Sequence, residues 1–286
     1  MKYILYSIIC LLLVGLLACD IIDSNYREQP RSIDPDGNKN IRKVLLEEFT
    51  GFKCGYCPPA NKTANDLNNL YHGRFVVVTI HAGSLAMPDD VHTYDFQTNV
   101  GTEINDAFGI KSNPIGVVNR TPFNDALLVK QDKWEQAAKT FFEKEPQMLI
   151  NIKSNYSKNV DSLISVKVDV SYLDKGSANQ RLSVFVIEDS IVQYQKWYNH
   201  TPNDNYDYVH HHVLRASMNG TWGDLLGTVA KGGKVEKSYN MLIPKDSEGK
   251  FLWKPEKIKI VAFVHNLEAN TYEVLQAEEK DLMQEP

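Results

Sequence analysis

Cys54 and Cys57 enclose a Gly-Tyr dipeptide directly after an apolar run, Val44-Leu45-Leu46-Glu47-Glu48-Phe49, and ahead of a segment with helical periodicity. Two thiols placed where a buried strand passes into a helix suit reversible disulfide chemistry. The thiolate is the reactive form, and the unpaired amides and positive dipole end of a helix N-terminus favour it on Cys54. Lys53 adds a positive charge alongside. In this reading Cys54 attacks a substrate disulfide and Cys57 resolves the mixed disulfide. The opposing reading is an inert structural or vestigial disulfide. A separation of three residues closes too small a loop to constrain the unfolded chain much, so a stabilising staple is the weaker explanation.

The other two of the four cysteines are spoken for by the N-terminus. Met1-Lys2 precedes an apolar stretch from Tyr3 to Ala18, shorter than the roughly twenty residues a spanning helix needs, and residues 1–18 read as a secretory signal peptide. Its end, Leu16-Leu17-Ala18-Cys19, resembles the lipobox of bacterial lipoproteins, which implies cleavage before Cys19 and lipid attachment to it. Cys10 leaves with the signal. Residues 19–40 form the lipidated cysteine and a polar, flexible tether with Pro30, Pro35 and Gly37, long enough to span about 25 Å as a random coil. Export places the remaining pair in an oxidising compartment.

The chain has 286 residues, 43% hydrophobic and 23% charged, which bounds it as globular with room for two domains. A net charge of −5 without a basic patch argues against nucleic acid as a partner. Over residues 41–146 the pattern runs strand (Lys43–Thr50), helix (Cys57–Tyr71, with Ala60, Ala64, Leu67 and Leu70 on one face) and strand (Phe75–His81). A helix at Val100–Phe108, a segment Phe108–Val118 that leads from a turn into another strand, a turn at Thr121–Asn124, a returning strand at Ala126–Val129 and a helix ending before Pro146 complete it. Residues 147–286 change to period two. Strands are expected at Met148–Lys153, Leu163–Tyr172, Leu182–Glu188, Tyr208–Ala216, Val235–Leu242, Ile258–Val264 and Tyr272–Ala277, a count that suits an antiparallel sandwich.

The first of these patterns resembles the thioredoxin-like fold. Phe49–Pro58 is similar to its active-site turn, with the Cys-Gly-Tyr-Cys version found in disulfide isomerases of bacterial periplasms. Phe108-Gly-Ile-Lys-Ser-Asn-Pro114 is similar to the segment before its cis-proline. The resemblance implies that Pro114 sits beside the cysteines and leaves the preceding residue free to pair with substrate. It also implies that Glu48, six residues before Cys54, is a buried acid that takes the Cys57 proton. Asn113 departs from the commoner Thr, Val or Ile. The whole mature chain, including Phe185-Val-Ile-Glu-Asp189 and His210-His-His-Val-Leu-Arg215, resembles the outer-membrane-protein-28 family of lipoproteins. The expected fold is therefore an α/β thioredoxin-like domain followed by an all-β immunoglobulin-like sandwich.

Two further features bear on function. His200, His210, His211 and His212 invite a metal, but no HExxH or second Cys pair completes a set, and a structural motif around Arg215 is preferred; no metal and no cofactor is expected. The aromatic stretch Gln195–Tyr208 suits a protein partner if exposed, and is the edge of the sandwich core if packed down, which is preferred. The functional expectation is an outer-membrane, lipid-anchored thiol–disulfide oxidoreductase of reductase or isomerase type. Its partners would be protein thiols and disulfides, a redox partner protein, and the membrane through the N-terminal lipid. The alternative is a non-catalytic interaction lipoprotein; a thiol peroxidase lacks the Pro/Thr residues expected before its cysteine.

Overall fold

The computed structural model describes residues 40–157, 162–268 and 271–282; the expected signal peptide, Cys19 and the tether up to residue 39 lie outside them. The apolar run that precedes the cysteines forms β1 (Val44–Thr50), and the second such run forms β2 (Phe75–His81). Every residue of both strands is buried, as expected of strands covered on two faces. They pair in parallel from Val44–Phe75 to Thr50–His81, joined by α1 (Pro58–Leu70). Pro58 and Pro59 open this helix because its first amides have no partner to lose. Ala60, Ala64 and Leu67 face inward as expected, whereas Leu70 is exposed and Tyr71 buries its ring instead.

Next come α2 (Asn99–Ala107), capped by the Thr98 hydroxyl on the Gly101 amide at 2.9 Å, β3 (Ile115–Val118), antiparallel to β1, and α3 (Trp134–Phe142). The expected return strand at Ala126–Val129 is reduced to single bridges, Phe123–Ala126 and Gly116–Val129. Asn124 and Asp125 both take positive φ and close a two-residue turn between Phe123 and Ala126.

The remaining strands are β4 (Met148–Ser157), β5 (Leu163–Tyr172), β6 (Gln180–Glu188), β7 (Ile191–Lys196), β8 (Asp204–His210), β9 (Val213–Ser217), β10 (Asp224–Leu225), β11 (Lys234–Leu242), β12 (Ile258–Asn266) and β13 (Val274–Asp281). One eight-stranded sheet runs β13-β12-β6-β9-β2-β1-β3, with β10 also on β6. A three-stranded sheet, β11-β5-β4, covers one face of β6 and β12 through Ile150, Val168, Val184 and Ile260. The opposite face, with Phe185 and Phe263, shares a core with Leu45, Phe49, Val78 and Ile80 of the first strands and Ile104 of α2. β7 and β8 form a separate two-stranded ribbon.

This architecture corrects the expected fold class. The described residues are mostly β, with mixed and antiparallel sheets and three α-helices, and do not form a thioredoxin-like α/β domain followed by an immunoglobulin-like sandwich. The cause is β9. It pairs with β2 in parallel at Thr79–Val213 and with β6 antiparallel, so strands from both halves of the sequence share one sheet. The segment read as a single strand, Tyr208–Ala216, is two: β8 and β9 belong to different sheets, broken at His211-His212, where His212 has a φ of 55°.

Candidate functional site

Cys54 and Cys57 form a disulfide, with Cα atoms 5.4 Å apart, in a turn that ends as the N-cap of α1. The Cys54 amide donates to the Gly51 carbonyl (2.9 Å) and the Cys57 amide to the Cys54 carbonyl (3.1 Å); Ala60 and Asn61 then donate to the Cys57 carbonyl. Gly51 is required there because a Cβ would lie 2.5 Å from the Leu85 carbonyl oxygen. Lys53, expected to lend its charge to the thiol, instead reaches the Asp89 carboxylate at 3.3 Å.

The sulfurs are covered. Cys54 is 3% exposed and Cys57 is fully buried, while Tyr56 between them is 64% exposed. The cover is the β7–β8 ribbon and its connection. Lys196 donates its amide to the Phe52 carbonyl (2.7 Å), Tyr198 donates to the Gly55 carbonyl (2.8 Å), and the Gln195 side-chain amide donates to the Cys54 carbonyl (3.0 Å). The Tyr198 ring rests on Gly55, where a Cβ would come within 2.5 Å of it, and meets Tyr56 edge-on at 4.9 Å. The aromatic stretch thus packs onto the cysteine turn rather than forming the edge of a sandwich. Gln195 and Tyr198 were missed as parts of the site; an alternating strand carrying a polar residue at an inward position was the available signal.

Behind the turn lies a polar interior. Glu48 points to the face of β1 that α1 covers, the face shared with Leu46 and with Thr50, whose hydroxyl reaches Asn61 of α1. Burial pushes its carboxyl up to about 8 against a lowering hydrogen bond from the Thr79 hydroxyl at 3.2 Å. Among the described residues its second oxygen has no hydrogen-bond partner, nor has either nitrogen of His81. His81 stacks on Phe96 at 4.3 Å and meets His210 at 5.4 Å, and His210 in turn meets Tyr208 at 4.8 Å. Burial holds His81 well below its ordinary range and His210 at about 4, so both are neutral at pH 7. Burial, then the nearby Glu48 carboxylate, pushes the Tyr208 phenol up.

The Asn113–Pro114 peptide bond is cis, and Ile115 pairs with Phe49, which sets Pro114 at the end of β1 from which the cysteine turn departs. The clustered histidines separate. His210 joins the interior just described, His211 pairs with Asp189, His212 meets Asn65 at 3.2 Å, and His200 stacks on Trp197.

The model of the outer membrane protein Omp28 family matches residues 102–284, well over half of the chain, in a span that begins after the cysteine pair. No curated protein matches. Among solved structures, HBP35 of Porphyromonas gingivalis is 18% identical with a TM-score of 0.62, over 85% of this chain and 76% of that one. A protein of Agrobacterium tumefaciens is 14% identical with a TM-score of 0.52, over 84% of this chain and 95% of that one. Both likenesses are of fold.

Proposed function

The chain belongs to the outer membrane protein Omp28 family, and we propose that on this outer-membrane lipoprotein the Cys54–Cys57 pair exchanges disulfides with other proteins, in the reductase or isomerase direction. Residues 1–18 direct export, Cys19 takes the lipid, and residues 19–40 tether the folded chain. One observation carries the reading: the disulfide closes the N-terminal turn of α1, on the sheet face where Glu48 keeps a buried carboxyl.

In the reduced protein the Cys54 thiolate attacks one sulfur of a client disulfide. A Cys54–client bond forms, and the client's other sulfur leaves and takes a proton from solvent. Cys57 then loses its proton to Glu48 and attacks the Cys54 sulfur, re-forming the Cys54–Cys57 bond and releasing the second client thiol. Two electrons have passed to the client, and a dithiol partner protein returns them. A carboxyl balanced near pH 8 exchanges protons in either direction at neutral pH. Asn113, ahead of Pro114, offers its main chain to an extended client.

The test is Cys57→Ser in the producing cell. Adducts on Cys54 that dissolve on reduction, and that are absent when Cys54 is also Ser, are expected, together with insulin reduction by the unaltered protein. Without adducts or insulin reduction, the chain is a non-catalytic interaction lipoprotein.

A further inference from the structure

A cavity of about 530 Å³ opens next to the cysteine turn, a size usual for a binding site. Its walls are rings: Phe52, two residues before Cys54, with Tyr94, Phe96, Tyr194 and Tyr206. These already contact one another in the geometry aromatic groups prefer, with centroids 4.7 Å apart for Tyr94–Phe96, 5.2 Å for Tyr194–Tyr206 and 6.0 Å for Phe52–Phe96. The cavity's one arginine, Arg215, is not available to an anion. Its guanidinium lies 3.3 Å from Glu188 and between the rings of Tyr94 and Trp253. His92 and the Asp95 carboxylate also line the cavity, so such walls suit a flat group without negative charge, an N–H-bearing ring among them.

The mouth identifies what carries that group. Val91, Tyr206 and Leu252 stand around it with 74%, 62% and 49% of their surface in solvent. Apolar side chains flanking a pocket are covered when the ligand extends beyond it on both sides, as a polypeptide does and a lone ring does not. The far wall, Gln193 and Tyr194 of β7 and Tyr206 of β8, belongs to the ribbon that covers the disulfide, so the cavity and the sulfurs are neighbours on the same two strands.

We infer that this cavity seats an aromatic side chain of an extended polypeptide. Resting on the proposed exchange reaction, it supplies the substrate class: clients carrying an aromatic residue close to their disulfide.

Binding is read by fluorescence anisotropy on the full mature protein in detergent, oxidised, with a labelled cysteine-free peptide carrying one central Trp. The peptide is expected to bind about tenfold more tightly than its Trp→Ala counterpart. Tyr206→Ala should weaken it about fivefold or more and Tyr206→Phe should restore it. Leu70→Ala, exposed at the end of α1 remote from the cysteine turn, should leave it unchanged. Equal affinity for the Trp and Ala peptides, or indifference to Tyr206→Ala with Leu252→Ser, overturns the inference. So does N-acetyltryptophanamide binding as tightly as the peptide, which would make the cavity a small-molecule site. The peptide has no cysteine and should bind Cys54→Ser/Cys57→Ser equally well, so loss of the exchange reading and loss of the cavity are separate results.

Discussion

Glu47 and Glu48 are consecutive on β1, both fully buried, and have opposite fates because a strand turns successive side chains to opposite faces. Glu47 meets Arg120 through two hydrogen bonds of 2.8 and 2.6 Å, and the guanidinium lies over Phe263 at 4.9 Å. Glu48 has only the Thr79 hydroxyl, and burial raises its carboxyl to about 8, so both its forms are present near neutrality. Removing one member of a buried pair strands the other's charge, so Glu47→Ala should cost about 3–5 kcal/mol in urea unfolding. Glu47→Met with Arg120→Met should cost less than either single change; a double variant worse than both would contradict this account of the pair. The two acids were visible in the sequence beside the cysteines, but Arg120 was not. Its partner lies 73 positions away, and nothing local marks a buried cation.

At the scale of elements, β1, α1 and β2 were legible because their apolar runs are continuous or helically spaced, and both strands are buried on two faces. The β7 strand was not. It exposes Val192 and buries Gln195, inverting the usual pattern, because the inward Gln gives the carbonyl of Cys54 a second donor beside the Cys57 amide. This is also why the site was only half legible: the cysteines announce themselves, whereas their cover is written in main-chain contacts. Gln195→Ala with Tyr198→Ala removes a hydrogen bond and a ring contact from that cover. Reduction of Cys54–Cys57 by a water-soluble phosphine should quicken about tenfold or more, each 1.4 kcal/mol of lost contact being a factor of ten. An unchanged rate would mean that the ribbon does not limit access.

For the molecule as a whole, His81, His210, His212 and His265 are buried in different surroundings, and their protonation makes stability depend on pH. Burial is the largest cause that lowers His81, His210 and His212, and it holds His265 at about 3. The unfolded chain takes up protons at these positions below its ordinary value of about 6.5, while the folded chain does not. Stability is therefore lost as pH falls from about 6.5 towards about 4, by up to about 1.4 kcal/mol per pH unit for each histidine. Glu48 runs the other way: its folded value is raised, so its contribution is lost as pH rises from about 4.5 to about 8. The melting temperature should peak near neutrality and drop steeply by pH 5; a flat profile from pH 7 to 5 would refute the neutral-histidine interior. The cover over the sulfurs also sets an order of events in biogenesis. Gln195 follows Cys54 by 141 positions, so a chain delivered N-terminus first shows both thiols to the envelope's oxidants long before the lid segment arrives. The first oxidation of the pair therefore needs no movement of the ribbon, whereas every later exchange with a client does.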